Sequence, residues 1–385
     1  MKLKPFRLER YFARYEFSAP YLLCCSDCES LSIADLLKFE HNAHEELSSL
    51  WLGYAESSGS PELRAQIASL YKKVSSEEIL VHAGAEEAIF NFMNVVLDPG
   101  DQIIIHSPHY QSLGEVARGI GASVIEWNGD PDHSWELDLG FLEDAVTDKT
   151  RAVVVNFPHN PTGFLPTPEF MAELSRLSDD RGFLVFSDEV YRGLEYDKNQ
   201  RLPALVDLNE RGVSLGVMSK TYGLAGLRIG WIATRNKDLL RKLATFKDYT
   251  TICNSAPSEF LATLALRHRQ SIVERNLSII RSNLNILNSF FNRHTELFSW
   301  HEPKAGPIAF PRYLGKSVEH FCNQLVENTG VLLLPGTLYN NESDCFRIGF
   351  GRMNMPDCVS RLEGFIENQQ MDSVVSPNPL YSEVK

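Results

Sequence analysis

The 385-residue chain is poor in cysteine, in clustered positive charge and in long apolar runs, and each shortage removes a class of protein. Seven cysteines, an odd number scattered along the length, suit free thiols in a reducing compartment better than a disulfide framework. Lys and Arg total 37 against 50 Asp and Glu, a net charge of −13 that argues against nucleic acid or an anionic membrane as partner. No uncharged run is long enough to span a bilayer, and residues 1–10 lack the apolar centre of a signal peptide, so a cytoplasmic location is expected. No low-complexity tract, like-charge block or internal repeat interrupts an ordinary globular composition, 43% hydrophobic and 23% charged. Gly119-Ile120-Gly121 lacks the third glycine of a dinucleotide-binding turn, which ranks a nucleotide-dependent oxidoreductase low. Cys24, Cys25 and Cys28 form C-C-x-x-C without a second pair, and His41 and His44 fall outside finger spacing, so no metal site is expected.

What is present begins with alternation. Short β-rich runs at 102–106, 123–127, 152–156, 183–187 and 214–218 are separated by helical stretches, which reads as α/β with a mostly parallel sheet. The length exceeds what one core supports, so two domains and a cleft between them are expected. Residues 254–292 read as a helical stretch long enough to bridge those domains, and the segment after 371 as a polar, frayed tail. In parallel sheets ligands collect beyond the carboxyl ends of strands. The residues found there are Tyr110, the loop Asn156-Phe157-Pro158-His159-Asn160-Pro161-Thr162-Gly163, Asp188-Glu189-Val190-Tyr191, and Ser219-Lys220.

The run from Ser219 to Gly230 sets Lys220 and Arg228 eight residues apart among glycines and apolar side chains. Desolvation favours the neutral amine of a lysine, the form that attacks a carbonyl, and an arginine offers a planar fork to a phosphate. Together they suggest pyridoxal 5′-phosphate (PLP). Each residue alone reads equally as a solvated lysine or an ion-paired arginine, so the decision rests on the other groups PLP requires.

Asp188, ending an apolar strand, suits the carboxylate that keeps the pyridine nitrogen protonated; capping the next helix is its alternative role. Tyr191, three residues on, could donate to the phenolic oxygen or pack on the sheet. Asn160 is stiffened by two prolines and a glycine, as an amide contact to that oxygen requires, although an Asn-Pro turn explains it too. Tyr110 could stack on the ring or belong to the core. Gly84, Ala85 and Glu86 open an amphipathic helix whose free amides, with Arg228, could clamp phosphate from two sides. Arg347 alternates against the apolar Phe346, Ile348 and Phe350, and either binds a substrate α-carboxylate or forms a structural ion pair.

In order along the chain, NFPHNPTG, DEVY, SKTYGLAGLRIGW and FRIGF resemble the class I/II aminotransferases of PLP fold type I, over nearly the whole length. The resemblance implies a large domain with a mixed, mostly parallel seven-stranded sheet flanked by helices. It also implies a smaller α+β domain built from both chain ends: residues 1–40 and 286–370 around a large domain at 41–285, with 371–385 as a flexible tail. It implies that Lys220 forms the Schiff base, that Asp188, Asn160, Tyr191 and Tyr110 hold the ring, and that Ser219, Arg228 and the Ala85-Glu86 amides hold phosphate. Arg347 then binds the substrate carboxylate, with Asn160 beside it, and the Asn160-Pro161 bond is expected to be cis. Family members are homodimers acting on amino acids and 2-oxo acids, and Tyr54 corresponds to the residue that reaches the partner's phosphate.

Within that family, His109 to Leu113, NFPHNPTG and Ile308 to Tyr313 are similar to a capreomycidine-synthase-like subgroup whose namesake works on an arginine derivative. The activity implied is amino-group transfer, with PLP-dependent elimination or cyclisation as the alternative and a non-catalytic PLP-binding regulator as a distant one. Two departures stand out. Val217 replaces a hydroxyl that many members carry three residues before the lysine, which removes one phosphate contact. An acidic, cysteine-containing loop, residues 24–30, replaces a glycine-containing turn, so that Asp27 or Glu29 could pair with a cationic substrate or simply be solvated.

Overall fold

The strand Gln102–Ser107 sends Ile103 and Ile105 into one apolar cluster and Ile104 into another, the alternation of a strand covered on both faces. The neighbouring strand Thr150–Asn156 divides the same way, with Val154 beside Ile103 and Ile105, and Val153 and Val155 beside Ile104. The computed structural model describes residues 1–339 and 344–375 of this chain.

Seven strands form one sheet in the order Ile79–His82, Gly230–Thr234, Gly212–Val217, Leu184–Asp188, Thr150–Asn156, Gln102–Ser107, Ser123–Asn128. Every pairing is parallel except the two made by Gly230–Thr234, which runs against both its neighbours. The five strands expected from the sequence are present. Ile79–His82 and Gly230–Thr234 were not anticipated, the first for its brevity and the second because its glycine and tryptophan continue the apolar run around Lys220.

Helices Ala85–Val96 and Gln111–Ile120 cover one sheet face through Phe92, Met93 and Leu113. Pro168–Arg181 covers part of the other through Met171, Leu174 and Leu177. That helix starts at Thr167, whose side chain accepts from the Phe170 amide ahead of a first-turn proline, and stops at a left-handed Gly182. The expected single helix across 254–292 is two, Ala256–Arg267 and Arg269–Arg293. They break at His268, whose ring stacks on Phe39 at 5.0 Å and whose Nε2 meets Glu40 at 3.0 Å, contacts that hold the joint in place.

Both chain ends contribute to the smaller α+β unit. Tyr21–Leu22 pairs in parallel with Val331–Leu332, and Ile308–Ala309, Phe346–Gly349 and Leu334–Pro335 form a three-stranded sheet. The last helix, Met355–Val375, continues four residues beyond the point where the sequence suggested a frayed tail, and 376–385 lie outside the described residues. Among the described residues no helix is long and apolar enough to cross a membrane.

Candidate active site

The carboxyl ends of the sheet strands open onto a cavity of ≈ 370 Å³ whose other wall is the N-terminal helix Arg7–Tyr15 and the loop after it. Ten of the twelve residues singled out from the sequence line it: Ala85, Glu86, Tyr110, Asn160, Asp188, Tyr191, Ser219, Lys220, Arg228 and Arg347. Gly84 lies behind the lining and Tyr54 is elsewhere.

Lys220 Nζ donates to Ser26 Oγ at 2.7 Å, and burial pulls its pKa below the ordinary lysine value. That favours the nucleophilic free amine. Asp188 closes its strand inside the cavity, accepts from the Val190 amide at 3.2 Å, and is pushed up to about 7 by burial. A protonated ring nitrogen beside it would return it to the charged form. Tyr191 donates its hydroxyl to the Ser26 carbonyl at 2.9 Å, so Ser26 ties both Lys220 and Tyr191 to the N-terminal loop.

The Asn160-Pro161 bond is cis. The Asn160 amide N–H donates to Asn156 Oδ1 at 2.6 Å while Asn156 Nδ2 donates to the Asp188 carbonyl at 2.8 Å, which locks the two loops together. Asn160 Oδ1 accepts from the Tyr339 hydroxyl at 3.0 Å and from Arg347 at 3.3 Å, leaving its NH2 without a partner among the described residues. Tyr110 donates to Glu9 at 3.2 Å and leans on Phe6 at 5.0 Å.

The expected phosphate corner has three parts. Gly84 precedes the helix Ala85–Val96 at φ 92, and no side chain caps the first amides. A Cβ there would come within 2.4 Å of the Arg228 guanidinium, so glycine is what lets the arginine lie against the helix start. Glu86, on the first turn, opens onto the cavity, accepts from Ser112 at 3.1 Å and is raised by desolvation to about 7. Val217 lines the wall and has no hydroxyl to donate.

Arg347 is 2% exposed, and its guanidinium meets only neutral acceptors: the Cys24 carbonyl at 3.0 Å, the Tyr339 oxygen at 2.5 Å and Asn160. Among the described residues it has no carboxylate partner, and a buried cation in that condition is strongly favoured by an incoming anion. Gly349, two residues on, would strike the Cys25 carbonyl at 2.0 Å if it carried a Cβ, so glycine allows the N-terminal loop to lie on this strand.

One sequence reading changes, and two others gain a place in the fold. Asp27 is taken by Arg352, which donates to it through Nε at 3.1 Å and Nη2 at 2.8 Å, and Glu29 accepts from the Met353 amide at 2.9 Å. Asp27 is committed to an ion pair, and Glu29 is not among the residues that line the cavity. Tyr54 is 86% exposed, outside the cavity of its own chain. Cys24, Cys25 and Cys28 are buried free thiols; Cys25 reaches the cavity and is lowered by a hydrogen bond from Cys24. Sequence reasoning missed Glu9, Glu16, Ser26, Tyr339 and Arg352, all from segments that reach the cavity only through long-range packing.

An uncapped helix start with Arg228, a buried carboxyl, a half-buried amine and an unpaired amide NH2 suit the phosphate, ring nitrogen, aldehyde and phenolic oxygen of PLP in turn.

The aminotransferase class I and II family matches residues 25–361. Capreomycidine synthase of Streptomyces vinaceus is 31% identical over 306 residues, 79% of this chain and 78% of its own. A PLP-dependent aminotransferase from Streptococcus suis 89-1591 has a superposable structure, with TM-score 0.90, 30% identity and coverage of 96% of this chain and 99% of that one. The PLP-dependent cyclase OrfR follows at TM-score 0.87 and 28% identity, over 96% and 98%.

Proposed function

Because the chain belongs to the class I and II aminotransferases and uses PLP, we propose that it moves an α-amino group between an amino acid and a 2-oxo acid, with Lys220 as its catalytic amine. The observation that carries this reading is Lys220 itself, a half-buried amine with a depressed pKa in one cavity with Asp188 and Arg347.

PLP supplies an electron sink that stabilises negative charge developing at the substrate's Cα. This chain's residues do the rest. Arg228, Ser219 and the Ala85-Glu86 amides hold the phosphate, Asp188 keeps a positive charge at the ring nitrogen, and Asn160 and Tyr191 face the phenolic oxygen. Arg347 takes the substrate carboxylate and thereby fixes which Cα bond faces Lys220. Lys220 Nζ, as free amine, would take the Cα proton and hold it as an ammonium beside the reacting carbon. The protein acts as a homodimer, with the exposed Tyr54 reaching the partner's phosphate corner.

A cyclase reading has its own support in the likeness to capreomycidine synthase and OrfR. Mass spectrometry of products from an amino-acid panel, with and without a 2-oxo acid acceptor, separates the two. Transfer yields a new 2-oxo acid and a new amino acid in equal amounts. A product formed without acceptor consumption, by loss of water or ring closure, overturns transfer in favour of cyclisation.

A further inference from the structure

A second cavity, of ≈ 360 Å³, adjoins the cofactor cavity and is about as roomy. The two share only Val190 and Val217, and an occupant of the second would touch Val217 and Thr221, on either side of Lys220 in the chain. Three segments wall it: Leu70 and Tyr71 after the helix Pro61–Ala68, Glu189 and Arg192 after the strand Leu184–Asp188, and Arg269 and Val273 at the start of Arg269–Arg293. The proposed amino-group transfer uses none of its charged residues.

Those charges are unevenly paired. Arg201 donates to Glu195 at 3.1 Å, and Lys198 lies 3.8 Å from Glu274. Arg269 donates only to the Leu266 carbonyl, at 3.0 Å, and has no carboxylate partner among the described residues. Arg192 donates through Nη1 to the Leu70 carbonyl at 3.0 Å, while its Nε stands 4.0 Å from Glu189 Oε2, beyond hydrogen-bond reach. Both atoms are buried without a hydrogen-bond partner, and Arg192 Nη2 has none among the described residues. One cation is therefore in surplus and its neighbour is under-bonded. Burial raises the Tyr222 hydroxyl to about 12 against the pull of Arg192, Arg269 and Arg201, so the three guanidiniums converge on it. An anion of one charge balances the surplus, whereas a second charge would face Glu189 and Glu274. The rest of the wall is aromatic. Tyr71 lies under the Arg192 guanidinium at 5.6 Å and accepts from Trp231 Nε1 at 2.8 Å, with Tyr222 beside them. Such a wall suits a planar ring.

We propose that this cavity is a second ligand site, for an aromatic monocarboxylate whose carboxylate lies on Arg269 and Arg192 and whose ring lies against Tyr71 and Tyr222. It is separate from the cofactor's site and stands whether or not the chain transfers amino groups.

The test is calorimetric titration of the PLP-loaded protein with phenylacetate, its uncharged amide and phenyl phosphate. Phenylacetate should bind about tenfold or more tighter than the amide, as loss of a hydrogen bond to a charged group implies, and tighter than the doubly charged phosphate ester. Arg269→Gln should weaken phenylacetate by about tenfold, and Val273→Trp, which fills the cavity, should abolish its binding. Arg347→Gln removes the free guanidinium of the cofactor cavity and should leave that affinity unchanged. Binding that is lost with Arg347→Gln and untouched by Arg269→Gln and Val273→Trp belongs to the cofactor cavity and overturns the proposal. Equal affinities for the acid and the amide, tighter binding of the phosphate ester, or no binding of phenylacetate overturn it as well.

Discussion

Asp27 and Arg352 form a two-bonded ion pair on the cavity wall, at 3.1 and 2.8 Å, between residues 325 positions apart in the chain. The pair ties the N-terminal loop to the turn after the Phe346–Gly349 strand and neutralises a cation that would otherwise face the substrate. Asp27→Asn should destabilise the fold by about 1.5–3 kcal/mol, the range for hydrogen bonds to charged groups. It should also raise the rate with L-aspartate relative to L-arginine, because Arg352 becomes available. Urea unfolding and paired rate measurements check both parts, and an unchanged substrate ratio contradicts the neutralising role.

Asp188 is a carboxyl whose burial makes its charge costly until a cation lies beside it. Asp188→Asn keeps the shape and removes the charge. Turnover should fall by about a hundredfold or more, the scale for deleting one preorganised electrostatic group. The cofactor's affinity, measured by equilibrium dialysis, should fall with it; an Asn variant with unaltered affinity and rate would remove Asp188 from the ring-nitrogen role.

Tyr54 stands in solvent with Trp51 and Leu52 exposed beside it. If it completes the partner's site, a Tyr54→Ala chain and a Lys220→Ala chain mixed together form hybrids in which one site regains both residues. The mixture should exceed the mean activity of its parents after refolding or prolonged exchange. A mixture at that mean, or a monomer by sedimentation, argues against a shared site.

His106, near the end of the strand Gln102–Ser107, stacks at 3.7 Å on His159 of the 156–163 loop, and neither ring nitrogen of His106 has a partner among the described residues. Burial pushes His106 well below the ordinary histidine value and His159 down to about 3, so both stay neutral when folded. The unfolded chain protonates them below about pH 6.5, and stability therefore falls as pH drops from there toward about 3, where folded His159 protonates, by up to about 1.4 kcal/mol per unit for each ring. His106→Gln should lower stability at neutral pH yet shrink the loss between about pH 7 and about pH 5. Melting curves at the two pH values check this; an unchanged loss contradicts it.

The strand-end residues were legible because each follows a short apolar run within a few positions, so chemistry and structure lie together in the chain. Asn160, Asp188 and Lys220 are of this kind. Arg347 was legible through alternation, since its neighbours Phe346 and Ile348 mark the opposite face. The N-terminal wall was not. Glu9 and Glu16 reach the cavity because Tyr11 donates to the Leu333 carbonyl at 2.9 Å and Gln111 bonds Pro5 and Arg7 at 3.0 and 2.9 Å, contacts spanning over a hundred residues. Their seven-residue spacing was the only local signal, and it does not say what the helix faces. Asp27 misled for the same reason: nothing near it in sequence announces Arg352.

The central claim is that Lys220 carries the cofactor. Borohydride reduction of the PLP-loaded protein, followed by proteolysis and peptide mass spectrometry, should find the pyridoxyl phosphate mass on Lys220 alone and lose it in Lys220→Ala. An adduct on another lysine, or none in a protein that binds PLP, contradicts the account.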